Sequence, residues 1–294
     1  MNLKVDKYSL AIVLGLVIVV IWGTSFLCSK VLVVNGMQPN EVYFLRALIS
    51  YVCLLALCHN RLFADNVKDE LKLASLGIFG GTLYYILENT ALEYSYTTNV
   101  SLIVSASPLI TTFISLLLWK KQLSAKFWIG VVLAVTGLVL LISNGNFCYT
   151  VRLFGDLIAL CASFCWALYA VLVKTIPSKY SVLFMTRKVF FYGVLFVIPT
   201  FLHTPFTYPV SQIFTFSVLF NLLYLALLSS FLCFVVWNFV IRQIGAMKAA
   251  NLVYLSPVFT FMASYFLLSE PLTVYSVVGS IFVLYGVYLS ERDK

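Results

Sequence analysis

Charged side chains are scarce in this 294-residue chain, where they make up 10% of the residues. A soluble domain carries about 25% charged residues, because it needs a polar surface around its core. Hydrophobic residues reach 62% here, so most of the chain has to face lipid rather than water. The composition therefore excludes an ordinary soluble domain and predicts an integral membrane protein.

Motifs for catalysis and cofactor binding are also missing. The chain has no phosphate-binding loop, no Ser/His/Asp set, no pair of carboxylates and no metal-ligand spacing, and its two histidines fall in predicted loops. Its seven cysteines are odd in number and most lie in apolar runs, so we expect no disulfide framework and no metal site. We expect no cofactor and no enzymatic activity. The basic residues are scattered, which indicates no nucleic-acid partner.

Long apolar runs dominate the sequence. A hydrocarbon core about 30 Å thick is spanned by about 20 apolar residues of helix. By this criterion the sequence predicts an all-α protein with ten transmembrane helices and short connections. The predicted ranges are 9–34, 40–58, 71–91, 96–118, 126–143, 155–174, 180–201, 214–240, 246–268 and 272–290. The first run follows two lysines, as in a signal peptide, but lacks a small-x-small cleavage site, so we predict a retained helix.

The basic residues of the predicted connections fall almost entirely on one side of the membrane. That side includes both ends of the chain, whereas the other side carries only Arg152. Because basic loops remain in the cytoplasm, the pattern predicts a multi-pass protein of the cytoplasmic membrane. Both termini, 1–8 and 291–294, should be cytoplasmic.

The two halves of the sequence align without a gap. Asn89 and Pro108 lie nineteen residues apart, as do Asn238 and Pro257, which gives an offset of 257 − 108 = 149 residues. The same offset pairs Ser107 with Ser256, Gly130 with Gly279, and Gly137 with Gly286. The alignment indicates that the chain contains an internal repeat.

We predict two five-helix repeats, 9–143 and 155–290, joined by an extracytoplasmic linker, 144–154. Because five is odd, the second repeat enters the membrane from the opposite side. Such inverted repeats are common among secondary transporters, which bind substrate near the midplane between the repeats.

Several motifs occur in a specific order and are duplicated. They are the tryptophans at 22 and 166, the polar steps before helices four and nine, the Ser-Pro pairs at 107–108 and 256–257, and the SEPLT segment before a Gly-x6-Gly helix. Over nearly the whole chain this order resembles the EamA group of the drug/metabolite transporter superfamily. The resemblance implies a ten-helix permease that exports or exchanges small metabolites, which are amino acids in several members. One departure is that Glu270-Pro271 has Lys121-Gln122 as its counterpart in the first half.

Three charged residues are predicted at one depth inside the membrane, namely Lys30, Arg46 and Glu88. A charge within the bilayer is costly, so it should face the bundle interior and find a partner. We expect Glu88 to form a polar cluster with Lys30 or Arg46 on the extracellular side of the cavity, with Asn89 as a neutral hydrogen-bonding member. Three roles for Glu88 stay open: a structural ion pair, a gate or substrate contact, and a coupling-proton site.

Other residues are candidates for the walls and ends of the cavity. Large or polar side chains that could line it, or simply pack, are Trp22, Tyr84, Trp166, Trp237 and Asn238. Basic residues near the cytoplasmic side are Lys174, Arg187 and Lys188. These basic residues either extend to lipid headgroups or form an inner vestibule for an anionic metabolite.

Prolines and glycines suggest how the helices bend and pack. Pro108 and Pro257 are predicted in mid-helix, where each removes a backbone hydrogen bond, and Ser107 and Ser256 stand beside them. The result would be either a fixed kink or a flexible, cavity-lining helix. The glycines at seven-residue spacing share a helix face and should permit close helix packing. These glycines are Gly130, Gly137, Gly279 and Gly286.

We predict an alternating-access secondary transporter, specifically an exporter of small organic metabolites such as amino acids or related carboxylate-bearing compounds. The expected partners are a small-molecule substrate and the lipid bilayer, and one chain is sufficient to form the cavity, although an oligomer stays open. Because no nucleotide-hydrolysing motif is present, gradients would supply the energy. The alternatives are a membrane scaffold or assembly protein and an intramembrane lipid-modifying enzyme.

Overall fold

A computed structural model describes most of the chain. The described residues are 7–107, 109–111, 113–114, 125–143, 151–173, 175–244, 252–253, 255–270 and 273–291. These residues are largely helical and include no β-strand. The predicted all-α class is therefore confirmed for the described ranges.

Among the described residues, the first half contains the following helices. They are α1 (Lys7–Val34), α2 (Pro39–Leu57), α3 (67–94), α4 (Thr97–Ser105) and α5 (Ala125–Ser143). The described part of the second half contains a corresponding set. They are α6 (Val151–Val173), α7 (Val182–Val197, extended by a 3₁₀ segment Ile198–Leu202), α8 (216–244), α9 (Ser256–Leu268) and α10 (Val274–Glu291). A single turn, Val210–Ile213, precedes α8.

Five helical segments are long and apolar enough to cross a membrane. They are Lys7–Val34, Pro39–Leu57, Arg152–Val173, Val182–Leu202 and Phe216–Trp237. Shorter apolar helices include Ala125–Leu140, Ser256–Leu268 and Val274–Gly286. Together these helices form a multi-helix bundle with a largely apolar exterior.

α3 and α6 begin a full turn earlier than the sequence predicts. α3 starts at Val67 rather than at 71, because the Asn66 side chain accepts a hydrogen bond from the Asp69 backbone N–H (2.8 Å) and caps the helix. Asp69 and Glu70 in the first turn further favour the helix N-terminus. α6 starts at Val151 rather than at 155, and residues 144–150 of the predicted linker lie outside the described residues.

Contacts between the helices identify the two ends of the bundle. We call the end at which α1 begins the proximal end and the opposite end the distal end. Gly15, near the start of α1, lies against Val240, near the end of α8. Lys30, near the end of α1, donates from Nζ to the carbonyl oxygen of Ser95, just past α3 (3.0 Å). α8 therefore ends proximally and α3 ends distally.

Both α3 and α8 contain a π-helical segment. The segments are Ile78–Leu83 in α3 and Tyr224–Leu232 in α8. A π-helical turn leaves some backbone carbonyls without their usual partners, and such turns occur frequently at functional sites. The Ala226 carbonyl, in the second of these segments, lies within hydrogen-bonding distance of Ser50 Oγ of α2 (2.9 Å). The irregular part of α8 is thereby tied to α2.

α4 and the segment before α9 each end in a tight turn. The Ala106 N–H donates to the Ile103 carbonyl (3.2 Å), and the Leu255 N–H donates to the Leu252 carbonyl (3.0 Å). These i→i−3 bonds interrupt the α-helical pattern within the apolar region. Among the described residues α4 therefore ends at Ser105, and α9 begins at Ser256.

The helix break places Pro257 differently from the sequence prediction. α9 begins at Ser256, and Pro257 occupies its first turn, where the missing N–H costs no intrahelical hydrogen bond. Pro257 therefore starts a helix instead of kinking one. Pro108 lies outside the described residues, and Ser107 is buried beside it.

α5 and α10 pack against each other through their glycines. A Cβ atom at Gly137 would lie 2.5 Å from the Gly279 carbonyl oxygen, and a Cβ atom at Gly286 would lie 2.5 Å from the Gly130 carbonyl oxygen. Real Cβ atoms do not approach other atoms that closely. The two backbones therefore approach at a distance that these glycines permit.

Candidate functional site

Arg46 is a buried charge within the bundle. It lies seven residues past Pro39, or about 10 Å along α2 from the distal end, and its exposed fraction is 3%. Its Nε donates to Ser230 Oγ (2.6 Å) and its Nη2 donates to Ser229 Oγ (3.2 Å), both in the π-helical segment of α8. Nη1 donates to no atom of the residues that the structure describes, so one edge of the guanidinium keeps hydrogen-bonding capacity.

Glu88 lies near Arg46, and tyrosines occupy the space beside them. The Tyr84 hydroxyl lies close enough to the Glu88 carboxylate to interact with it electrostatically. Arg46 Nη2 lies 3.4 Å from the Tyr85 hydroxyl, and the Tyr84 and Tyr85 rings meet edge to face at 4.8 Å between centroids. Glu88 has an exposed fraction of 4% and interacts electrostatically with Arg46 without a direct ion pair. Of the two partners predicted for Glu88, Arg46 is therefore the neighbour.

We call this group the Arg46 cluster. Its members are Arg46, Tyr84, Tyr85, Glu88, Ser229 and Ser230. A cation with an unsatisfied donor edge can bind a carboxylate, and a nearby acid can bind a cationic group. The cluster can therefore hold a small polar molecule inside an otherwise apolar bundle.

Aromatic residues surround the Arg46 cluster. Trp22 donates from Nε1 to the Ser229 carbonyl oxygen (3.1 Å), and its ring meets that of Trp237 edge to face at 5.0 Å. Trp166, in the second half of the chain, lies beside Tyr84, with 4.8 Å between the two ring centroids. The predicted aromatic candidates thus lie close to the cluster from both halves of the chain.

Lys30 is bound elsewhere than the sequence predicts. Its Nζ donates to the Ser95 carbonyl oxygen and to the Leu92 carbonyl oxygen at the distal end of α3. It forms no direct ion pair with Glu88 among the described residues. The physical reason is that the long lysine side chain extends to the distal end, where terminal helix carbonyls lack intrahelical donors.

Asn89 also points away from Glu88. Its Nδ2 donates to the Pro39 carbonyl oxygen at the start of α2 (3.2 Å), while its Oδ1 has no partner among the described atoms. The residue thus links α3 to α2 rather than extending the Arg46 cluster. The side chain of its counterpart in the repeat, Asn238, lies outside the described part, as does Lys174.

Arg187 and Lys188 are buried, which differs from extension to lipid headgroups, one of the two roles considered for them. Arg187, with an exposed fraction of 1%, donates to the carbonyl oxygens of Arg61 (2.5 Å) and Leu62 (3.1 Å), and also to that of Cys58. Lys188, with an exposed fraction of 2%, donates to the Leu62 carbonyl (3.3 Å). Both side chains therefore hold the α2–α3 connection at the proximal end.

Carboxylates complete this proximal contact. Glu70 pairs with Lys188 and also accepts hydrogen bonds from the Ala64 N–H (2.6 Å) and the Tyr192 hydroxyl. Burial raises the pKa of Glu70, but these hydrogen bonds outweigh it and hold the pKa below its ordinary value. The hydrogen bond from Tyr180 to Asp69 (2.8 Å) lowers the pKa of Asp69 in the same way.

The sequence analysis does not identify several candidate functional residues. Ser229 and Ser230 are small hydroxyl residues inside an apolar run, and no spacing signal distinguishes them from packing residues. Asp156, near the start of α6, is buried and accepts hydrogen bonds from Ser95 and Asn99. Its position as a lone acid in an apolar helix was an available signal.

Comparisons with known proteins found similar sequences and a similar fold. The model of the EamA-like transporter family matches residues 9–143 and residues 153–292. An uncharacterized transporter of Archaeoglobus fulgidus is 30% identical over 278 residues, covering 93% of this chain and 94% of that protein. A probable amino-acid metabolite efflux pump of Escherichia coli is 24% identical over 293 residues, covering 95% and 93%. A crystal structure with 16% identity covers 96% of both chains at a TM-score of 0.61, so it shares the fold.

Proposed function

The chain belongs to the EamA-like transporter family and is a multi-pass membrane transporter; on that premise we propose that it exports small carboxylate-bearing metabolites by alternating access. The observation that carries the proposal is the buried Arg46, whose Nη1 has no partner among the described residues while its other donors are held by Ser229 and Ser230. A planar guanidinium matches the geometry of a carboxylate.

The neighbours of Arg46 suit a small organic substrate. Glu88 balances the charge of Arg46 when the site is empty, so the cluster need not bury a net charge. The rings of Trp22, Trp166 and Tyr84 provide apolar contact beside the charged groups. Amino acids fit this combination of carboxylate and apolar contact, and a relative is named a probable amino-acid metabolite efflux pump.

Alternating access is supported by signs of an inverted repeat in ten helices. The family model matches the chain twice. The tight turns at Ala106 and Leu255 are separated by 255 − 106 = 149 residues, which is the offset of the sequence repeat. Adding 149 to the bounds of the π-helical segment Ile78–Leu83 gives 227–232, which falls within the second segment, Tyr224–Leu232.

The helix pairings support the same repeat. In such a repeat, α1 corresponds to α6 and α3 corresponds to α8. The observed contact between α1 and α8 therefore has its counterpart in the observed contact between α6 and α3. Three further contacts each join a helix to its own counterpart in the other half. They are α2–α7, α4–α9 and α5–α10. Discontinuous helices at repeat-related positions commonly line transporter binding sites, and the breaks in α4 and α9 fit this pattern.

We further propose that the chain lies in the cytoplasmic membrane with its proximal end in the cytoplasm. The basic connections of the sequence support this orientation. The two halves of a single chain form the site, so a monomer suffices, and its partners are the substrate and lipid. Reporter tags at both termini should be cytoplasmic, and an external C-terminus would contradict the ten-helix inverted repeat.

The test of function compares small molecules released by cells that produce the wild type, Arg46→Gln or an empty vector, at matched membrane levels of the two proteins. We expect a few carboxylate-bearing metabolites to accumulate outside only with the wild type. Identical media in all three cultures, together with no flux of those metabolites in liposomes, would contradict export. Conversion of a metabolite or lipid in the liposomes without transport would instead indicate an enzyme.

A further inference from the structure

Charged residues of opposite sign close the two ends of the bundle. We propose that Asp156 and Glu270 are the distal gate of the transporter, and that Arg187 and Lys188 are its proximal gate. This inference rests on the proposed transport function and assigns the residues that seal each side of the Arg46 cluster. The four side chains are buried, and all four belong to the second half of the chain.

At the distal end, Glu270 caps α4. Its Oε1 accepts a hydrogen bond from the Thr97 N–H (2.7 Å), and its Oε2 accepts hydrogen bonds from the N–H and Oγ1 of Thr98 (both 3.2 Å). The first N–H groups of a helix have no partner within the helix, and that end carries a partial positive charge. A carboxylate from the end of α9 therefore holds the start of α4.

Asp156 makes a second contact with the same segment of the first half. Its carboxylate accepts hydrogen bonds from Asn99 Nδ2 (3.2 Å to Oδ2) and from Ser95 Oγ. Ser95 and Asn99 flank the first residues of α4. The two acids thus approach the α3–α4 connection from two different helices of the second half, α6 and the end of α9.

At the proximal end the signs are reversed. The carbonyl groups at the end of a helix also lack partners, and that end carries a partial negative charge. Arg187 binds the carbonyl of Cys58, which ends α2, and those of Arg61 and Leu62 in the following connection. Lys188 adds a bond to Leu62 (3.3 Å). Two bases of α7 therefore hold the α2–α3 connection.

These contacts have the energetic property that a gate requires. Most join a buried charge to backbone or uncharged polar groups rather than to a buried counter-ion. A hydrogen bond to a charged group is strong when water is excluded. Once this end of the bundle opens, water forms hydrogen bonds with both partners, so the net free-energy cost of opening is small. Each contact joins the two halves of the chain. A movement of one half relative to the other therefore breaks either the distal contacts or the proximal contacts.

A native cysteine provides a reporter of opening. Cys233 lies three residues past Ser230 on α8, on the same helix face, and it is buried within the electrostatic range of Arg46. In a chain whose other cysteines are replaced, the reaction of Cys233 with a membrane-impermeant maleimide reports access to the Arg46 cluster. Adding the reagent to either side of oriented vesicles measures each gate separately and needs no substrate.

We expect Glu270→Gln and Asp156→Asn to raise the rate of Cys233 labelling from the distal side by about fivefold, the effect of weakening one hydrogen bond to a charged group. Arg187→Lys, which keeps the charge but loses the planar fork, should raise the rate from the proximal side instead. Matched controls are Glu93→Gln at the distal end and Lys68→Met at the proximal end, both at exposed residues. Neither control should change the rate.

Equal increases from both sides, or no increase in any variant, would overturn the assignment of the gates. If a variant fails to accumulate, the cysteine pair Thr98→Cys and Glu270→Cys, joined by a short bifunctional reagent, tests the distal gate directly. Cross-linking should stop flux and distal labelling, and cleavage of the linker should restore both. Flux that continues after cross-linking would overturn the proposal. If the labelling shifts as expected but no metabolite moves, the gates stand and the proposed substrate class fails.

Discussion

The guanidinium carbon of Arg46 lies 4.2 Å from the centroid of the Tyr85 ring. This contact adds a cation–π attraction to the hydrogen bonds that Arg46 donates to Ser229 and Ser230, and it fixes the orientation of the guanidinium inside the bundle. A side chain held in this way loses little further freedom when it binds a ligand. Arg46 is therefore preorganised to receive a carboxylate.

We predict that Glu88→Gln lowers metabolite flux by about tenfold or more, the size expected for the loss of a buried charge interaction. Glutamine retains an oxygen that can accept a hydrogen bond from Tyr84 but removes the negative charge near Arg46. Flux is measured in liposomes at equal protein content. Glu93→Gln, at an exposed carboxylate on the same helix, should transport normally. Wild-type flux in Glu88→Gln would exclude a transport role for the carboxylate.

A pair of buried serines on different helices should respond in opposite ways to replacement by alanine. Ser50 Oγ donates to the Arg46 carbonyl (2.8 Å) and lies within hydrogen-bonding distance of the Ala226 carbonyl (2.9 Å), whereas Ser163 Oγ has no partner among the described atoms. Ser50→Ala should therefore lower the free energy of unfolding by about 1 kcal/mol, while Ser163→Ala leaves it unchanged or raises it. Thermal unfolding in detergent measures both. A larger loss for Ser163→Ala would contradict this account of the two hydroxyl groups.

Gly137→Ala should destabilise the α5–α10 pair. The added Cβ would meet the Gly279 carbonyl oxygen at 2.5 Å, so the helices would have to separate. Overpacking of this kind costs about 1–3 kcal/mol. Val135→Ala, at a residue of the same helix that is 52% exposed, is the matched control. If both variants unfold at the wild-type temperature, the close approach of these helices is not a source of stability.

The carboxylates of the proximal contact should make stability depend on pH in the acidic range. The hydrogen bond from Tyr180 lowers the pKa of Asp69 in the folded state, so its stabilising effect is complete above the unfolded pKa of about 4. That effect is lost as the pH falls through the lower, folded pKa.

Asp69→Asn should therefore lower the unfolding temperature at pH 7, and the difference from the wild type should shrink at pH values below about 4. Thermal unfolding of the purified protein over this range measures the effect, with Glu93→Gln as the control. A difference that is constant across the range would show that the negative charge of Asp69 is not the cause.

The sequence predicts the positions of the helices along the chain better than it predicts which side chains face each other between helices. Apolar runs and the 149-residue offset predict where helices lie, and a shared depth predicts that Glu88 lies near Lys30 or Arg46. Counting residues gives depth but not the direction of a side chain about the helix axis. For that reason the sequence does not decide between Lys30 and Arg46 as the partner of Glu88, and it does not predict the contact of Asn89 with Pro39.

Irregular backbone explains many of the side-chain contacts that the sequence does not predict. The π-helical segment of α8 turns Ser229 and Ser230 toward Arg46, and periodicity of 3.6 residues does not predict such a turn. The burial of Arg187 likewise depends on the fold of the α2–α3 connection, which brings its carbonyl groups to α7. Tertiary contacts of this kind have no local sequence signal.

The most direct test of the central claim measures whether Arg46 recognises a carboxylate. Once export identifies a substrate, its flux in liposomes is compared with that of the uncharged amide of the same molecule, in wild type, Arg46→Lys and Arg46→Gln. We predict that the wild type prefers the carboxylate by about tenfold or more, that Arg46→Lys keeps part of this preference, and that Arg46→Gln loses it. An undiminished preference for the carboxylate in Arg46→Gln would contradict the account.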